Sequence, residues 1–158
     1  MEARLRHIEV IEASVEHSFE VSELVKSLLI ELEPTEKEAI ENAGLDLTAN
    51  SMIESSNVRA FLARVAGQYV GVITLHECAA IYAGGIFGEI SELYVVPEYR
   101  SLKVGETLVS AAIEKGRTLN WKRLEVGSPP AESSGRTLNF YQENGFVATG
   151  VRLKRVLE

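Results

Sequence analysis

Cysteine is almost missing from this 158-residue chain, and Cys78 stands alone. A lone thiol closes no internal bridge, so a disulfide scaffold is excluded and a reducing compartment such as the cytoplasm is expected. Proline is scarce too, at four residues, which rules out a collagen-like or proline-rich extended chain. No run is apolar enough to cross a bilayer: the most apolar stretch, 61–87, is broken by Arg64, Gln68, His76 and Glu77. The opening Met1-Glu2-Ala3-Arg4-Leu5-Arg6-His7 lacks the apolar core of a signal peptide. Positive charge is in the minority, with 16 Lys and Arg against 23 Asp and Glu. The net charge of −7 argues against a general nucleic-acid binder.

What remains is a globular composition, 46% hydrophobic and 25% charged. The length suits one domain over 1–158, which buries roughly two-thirds of its unfolded surface. Charge is unevenly spread. Residues 1–56 carry 13 acidic and 4 basic side chains, whereas 57–158 carry 10 and 12. The acidic third reads either as solvated helix faces or as a field that draws a cationic ligand.

Periodicity divides the chain. Arg6 to Glu12 alternates around Ile8 and Val10, a strand pattern. Ser14 is a helix-cap candidate, followed by an apolar stripe of Val21, Leu24, Val25, Leu28, Leu29 and Leu32. Pro34 opens a short second helix that Gly44 ends, and a third helical segment covers Thr48 to Ser55. The period then changes to two. Val58–Val65 and Tyr69–His76 form strands joined at Ala66-Gly67-Gln68, and Glu89–Val96 is a strand stopped by Pro97. Helices over Val104–Asn120 and Ser134–Asn144, and strands over Lys122–Gly127 and Phe146–Val156, complete the order β-ααα-ββ-β-α-β-α-β. This is one mixed α/β unit.

The segment richest in chemistry runs from Glu89 to Leu108: strand, proline stop, short polar turn, helix. The first amides of a helix lack internal partners and sit at its positive end, and Gly105 lets the backbone approach a ligand closely. That is a recipe for holding a phosphate or pyrophosphate, although many such units bind nothing. Its spacing, Arg100-x-x-Lys103-x-Gly105, is followed about thirty-five residues later by Phe140-Tyr141-Gln-Glu-Asn-Gly145-Phe146. Together these motifs resemble the GNAT (GCN5-related N-acetyltransferase) superfamily. Its loop reads Arg/Gln-x-x-Gly-x-Gly/Ala, and its late helix ends in Phe/Leu-Tyr-x-x-x-Gly-Phe. Lys103 stands where the loop has its first glycine, and Ser134 and Thr137 stand where the late helix often has Asn and Ala.

The resemblance implies a mostly antiparallel sheet in which the Glu89–Val96 strand bulges and splays from Lys122–Gly127. It also implies that acetyl-CoA lies in the gap. The cofactor-binding set would be the backbone of Leu93, Tyr94 and Val95, the loop and helix start Arg100, Ser101, Leu102, Lys103, Val104, Gly105, Glu106 and Thr107, and Ser134. Tyr141 would protonate the departing CoA thiolate. The base would be Glu89 or Glu125, unless water serves, with Glu92 on the opposite face from Glu89 by simple alternation. No metal is implied. The implied reaction is direct acetyl transfer to a primary amine of a small molecule or peptide, with no acyl-enzyme because no activated Cys or Ser stands out. The alternative is a non-catalytic CoA-binding sensor or scaffold of the same fold. No nucleic-acid or membrane partner is expected, and a homodimer through Phe146–Val156 fits the pattern.

Overall fold

The computed structural model describes residues 7–127 and 131–157, with side chains from 135 onward in the second span. The strands are β1 (Ile8–Glu12), β2 (Val58–Val65), β3 (Gln68–Ala80), β4 (Gly85–Val95) and β5 (Leu124–Val126). The helices are α1 (Ser18–Leu32), α2 (Lys37–Glu41), α3 (Leu45–Glu54), α4 (Val104–Thr118) and α5 (Ala131–Glu143). The sheet order is β1-β2-β3-β4-β5. Its first three pairings are antiparallel and β4–β5 is parallel. A parallel pair needs a crossover rather than a tight turn, and α4 supplies it.

The period of two along the strands assigns each face its helices. Phe61, Ala63, Val65, Ile73, Leu75 and Ile90 point to one side, where Val104, Leu108, Val109 and Ala112 of α4 bury them. Ala60, Leu62, Val72 and Tyr94 point to the other, against Val21 and Leu24 of α1 with Ala49 and Ile53 of α3. Hereafter these are the α4 face and the α1 face. The expected mixed α/β architecture is therefore present, as a sheet with helices on both sides.

Two expectations are corrected. Residues 146–157 form no strand, and Val147, Val151 and Leu153 stand exposed. Alternation alone does not supply an edge to pair with: β5 is only three residues long, and Gly150, at φ 150°, interrupts the run. Only Phe146 turns inward, its ring 5.4 Å from that of Tyr141. The second correction lies in β4. Thr74 pairs with Glu92 but Leu75 pairs with Ile90, so Ser91 is an extra residue. The bulge resets the alternation. Glu89 lies opposite His76 and Glu92 opposite Thr74, so both glutamates share the α1 face.

The β4–β5 joint is held by a close packing that admits no side chain at Gly88. A Cβ there would drive into the Trp121 ring, whose Nε1 donates to Glu77 Oε2 at 2.7 Å. Gly88→Ala should therefore displace the indole. Overpacking of this kind costs about 1–3 kcal/mol, a Tm fall of about 3–10 °C for a chain of this size. Thermal unfolding followed by tryptophan fluorescence reads both the loss and the ring's displacement; an unchanged Tm would contradict this packing.

Candidate active site

The bulge at Ser91 and the shortness of β5 act together. β4 and β5 pair only through Gly88–Leu124, Glu89–Glu125 and Ile90–Val126. Beyond Ile90 the β5-side edge of β4 has no strand beside it among the described residues. Val96 donates its amide to Val70 O of β3 at 2.8 Å, so Tyr94, two residues earlier, directs its backbone the same way. Leu93 and Val95 then direct theirs to the open edge. Of the three residues expected to offer backbone, two face the gap and Tyr94 faces β3. Tyr94 instead buries its ring on the α1 face.

The open edge leads to the start of α4. Pro97–Tyr99 makes a single 3₁₀ turn, after which Ser101 and Lys103 both take left-handed backbone, at φ 69° and 67°. Glycine normally fills such positions, so Lys103 adopts the shape of the glycine it replaces rather than an ordinary one. The Lys103 carbonyl accepts from the Thr107 amide at 3.0 Å and the Thr107 hydroxyl at 2.7 Å. No side chain caps this helix, so the amides of Val104, Gly105 and Glu106 precede its first internal bond. Ser101, Leu102 and Lys103 are exposed, while Val104 is buried in the core. Gly105 serves packing as much as approach: a Cβ on it would stand 3.2 Å from Phe140, so α5 lies directly on the first turn of α4.

Arg100 braces this turn. Its Nε donates to Val95 O at 2.8 Å, and its two terminal nitrogens bind both oxygens of Glu31 at 3.0 and 2.7 Å. The fork also lies over the Tyr94 ring, 5.4 Å from its centre. The guanidinium thus ties the end of β4 to the end of α1 rather than facing the loop.

The α1 face beside the bulge is polar. Thr74, His76, Cys78, Glu89, Ser91 and Glu92 gather there, and Glu125 stands beside Glu89 in register. Glu89 is the more enclosed carboxylate, with 15% of its side chain exposed against 38% for Glu125. One oxygen of Glu89 is bound by Arg152, and the other lies 3.7 Å from His76 Nε2. The other ring nitrogen of His76 meets Ser91 Oγ at 3.0 Å. Glu92 is held by Thr74 through both its carboxylate and its amide. Glu125 is paired with Arg123 at 2.8 Å. Burial raises the Cys78 thiol above its ordinary range, with the nearby Glu125 adding to the effect.

Tyr141 lies on the α4 face, buried with Leu93, Val95 and Val104 in one cluster. Phe140 and Phe146 meet its ring edge-on at 5.3 and 5.4 Å. Burial pushes its phenol up to about 12, so the hydroxyl keeps its proton at any ordinary pH. The structure therefore does not bring Tyr141 and the glutamates together. It sets a protonated phenol on one face of the sheet and carboxylates on the other, with the open edge of β4 between them. The side chain of Ser134 lies outside the described residues.

Three residues that contact this polar group escaped the sequence reading: Thr74, Ser91 and Arg152. The first two become visible only once the bulge is known, because it turns Ser91 toward His76. Arg152 comes from 63 residues along the chain, and no local pattern announces its partner.

Known proteins resemble this chain in both sequence and fold. The profile of the acetyltransferase (GNAT) family matches residues 22–146. An aminoalkylphosphonate N-acetyltransferase of Salmonella typhimurium is 30% identical over 101 residues, and the match spans 64% of each chain. Among solved structures, an aminoglycoside acetyltransferase from an uncultured soil metagenomic sample superposes with a TM-score of 0.81. It is 16% identical, and the match covers 96% of this chain and 99% of that one. AAC(6')-Iy, solved with a CoA bisubstrate analogue, gives 0.74 at 14% identity, covering 96% and 99%. The profile match takes in α4, the open edge of β4 and Tyr141 alike, and on that ground the chain belongs to the acetyltransferase (GNAT) family.

Proposed function

We propose that this protein is an N-acetyltransferase that moves the acetyl group of acetyl-CoA to the primary amine of a small molecule, by direct attack within a ternary complex. The observation that carries this reading is the open edge of β4 between a carboxylate face and a tyrosine face. A thioester held in that gap is reachable by an amine from the α1 face, while its sulfur departs toward the α4 face.

Each part has a physical task. The backbone of Leu93 at the unpaired edge is available to the pantetheine arm, as to an added strand. Val95 O is engaged by Arg100, so the guanidinium fixes the end of the edge and the angle of the turn. The uncapped amides of Val104, Gly105 and Glu106, with the exposed turn 101–103, suit a pyrophosphate at the positive end of α4. The Lys103 ammonium adds charge there. Glu89 takes a proton from the acceptor ammonium, and Tyr141 gives one to the departing thiolate.

The acceptor approaches over Glu89, Glu92 and Glu125, a surface suited to an ammonium. The relative at 30% identity is named for a small amine, an aminoalkylphosphonate, which favours a small-molecule acceptor. A module that merely sensed CoA would need neither the carboxylates nor the buried phenol. The lone thiol and the co-substrate suit the cytoplasm.

The first test is binding. CoA at 100 times its Kd stabilises a folded protein by about 2.7 kcal/mol. For a chain of this length that raises Tm by about 5–10 °C. No shift at millimolar CoA would refute the site. Thiol release from acetyl-CoA across a panel of small amines then identifies the acceptor.

A further inference from the structure

We propose that His76, Cys78 and Glu89 form a site for a thiophilic divalent cation such as Zn²⁺, and that filling it takes Glu89 out of use. The three lie on the α1 face at the mouth of the open edge. His76 and Cys78 are two residues apart on β3 and so project to the same side, and Glu89 sits directly across from His76 on β4. Their ligand atoms all lie within 4.8 Å of one another, the one such His/Cys/Asp/Glu group among the described residues.

The donor set selects the metal. An imidazole nitrogen and a thiolate are borderline and soft donors that, with one hard carboxylate, suit Zn²⁺, whereas Mg²⁺ and Ca²⁺ prefer oxygen alone. Bonds of about 2.0–2.3 Å place tetrahedral ligands about 3.3–3.8 Å apart, so side-chain rotations of about 1 Å close the cage. Two anionic ligands neutralise the dication. His76 is also oriented as ligating histidines are. Its Nδ1 is held by Ser91 Oγ at 3.0 Å, leaving Nε2 toward Glu89. Arg152 occupies Oε1 of Glu89 and leaves Oε2 for the metal. With 39% of the His76 side chain exposed, a fourth position is open to water.

Binding needs only the three ligands. The block on turnover rests in addition on the acetyl-transfer reading, so the two parts are tested separately. Co²⁺ is titrated into the full metal-stripped chain and followed by absorption. One equivalent should give a thiolate-to-cobalt charge-transfer band and tetrahedral d–d bands, displaced by Zn²⁺ and untouched by Mg²⁺. Cys78→Ser should abolish the charge-transfer band while keeping its Tm. Ser91→Ala should weaken Zn²⁺ about 10–100-fold by calorimetry, through loss of the imidazole's support. Absence of the band, or equal Zn²⁺ affinity in wild type and Cys78→Ser, overturns the site whatever the protein's activity. In the activity arm, stoichiometric Zn²⁺ should lower wild-type turnover at least tenfold, reversibly with chelator, and leave Cys78→Ser unaffected. Unaltered turnover at full occupancy overturns the block.

Discussion

Tyr141→Phe should lower kcat about 10²–10⁴-fold while acetyl-CoA binds with nearly unchanged Kd. The two readouts separate because the ring and the hydroxyl have different tasks. The ring is packed edge-on between Phe140 and Phe146, and phenylalanine keeps that packing. The hydroxyl is assigned to the transition state alone, where charge develops on the departing sulfur. The same burial makes a second, independent signature. Because the folded phenol is raised from 10.0 to about 12, folding favours its neutral form. Stability from this group is fully present below about pH 10 and is lost as pH climbs toward about 12. Tyr141→Phe should flatten that alkaline decline in Tm, and wild-type turnover should show no alkaline limb from this acid below about pH 11. Wild-type turnover in the variant removes Tyr141 from the chemistry; weakened acetyl-CoA binding with normal kcat makes it a packing residue.

The parts of this fold that local physics decides were legible in the sequence. The alternation over 58–65 gives β2 to the residue, and the stripe over Val21, Leu24 and Leu28 gives α1 and its inner face. The stop at Pro97 and the helix start at Val104 place the loop. What escaped depends on partners distant in sequence. The resemblance implies a bulge in this strand but not its place: at Ser91 it is defined only relative to β3, and by shifting the alternation it carries Glu92 to the same face as Glu89. Arg100 looks like a phosphate ligand from its spacing, but Glu31, 69 residues away, takes its fork. The acidic excess of 1–56 is for the same reason not purely solvated or purely a field. Glu31, Glu12 and Glu9 are spent on Arg100, Arg59 with Lys115, and Arg64. The terminal run 146–156 shows the reverse error: its alternation promises a strand, but β5 ends too soon to pair with it.

Glu89→Gln should lower kcat about 10²–10⁴-fold at neutral pH, and Glu125→Gln should change it by less than about threefold. The two carboxylates are neighbours across the β4–β5 joint, so sequence resemblance leaves either as base. Their surroundings distinguish them. Glu89 is the more enclosed, lies beside the bulge, and is approached by His76, a group able to pass its proton on. Glu125 is more exposed and committed to Arg123. A base is needed only while the acceptor arrives as an ammonium. The deficit of Glu89→Gln should therefore shrink as pH rises toward the amine's own pKa, with wild type and variant converging. Removing Glu89 also frees Arg152, so Arg152→Ala is the control: it should alter the acceptor's KM more than kcat if the guanidinium only positions the carboxylate. A large loss in Glu125→Gln with Glu89→Gln unaffected moves the base to β5. Two near-normal variants leave solvent as the proton acceptor, and a deficit independent of pH shows that Glu89 holds the site's shape rather than taking the proton.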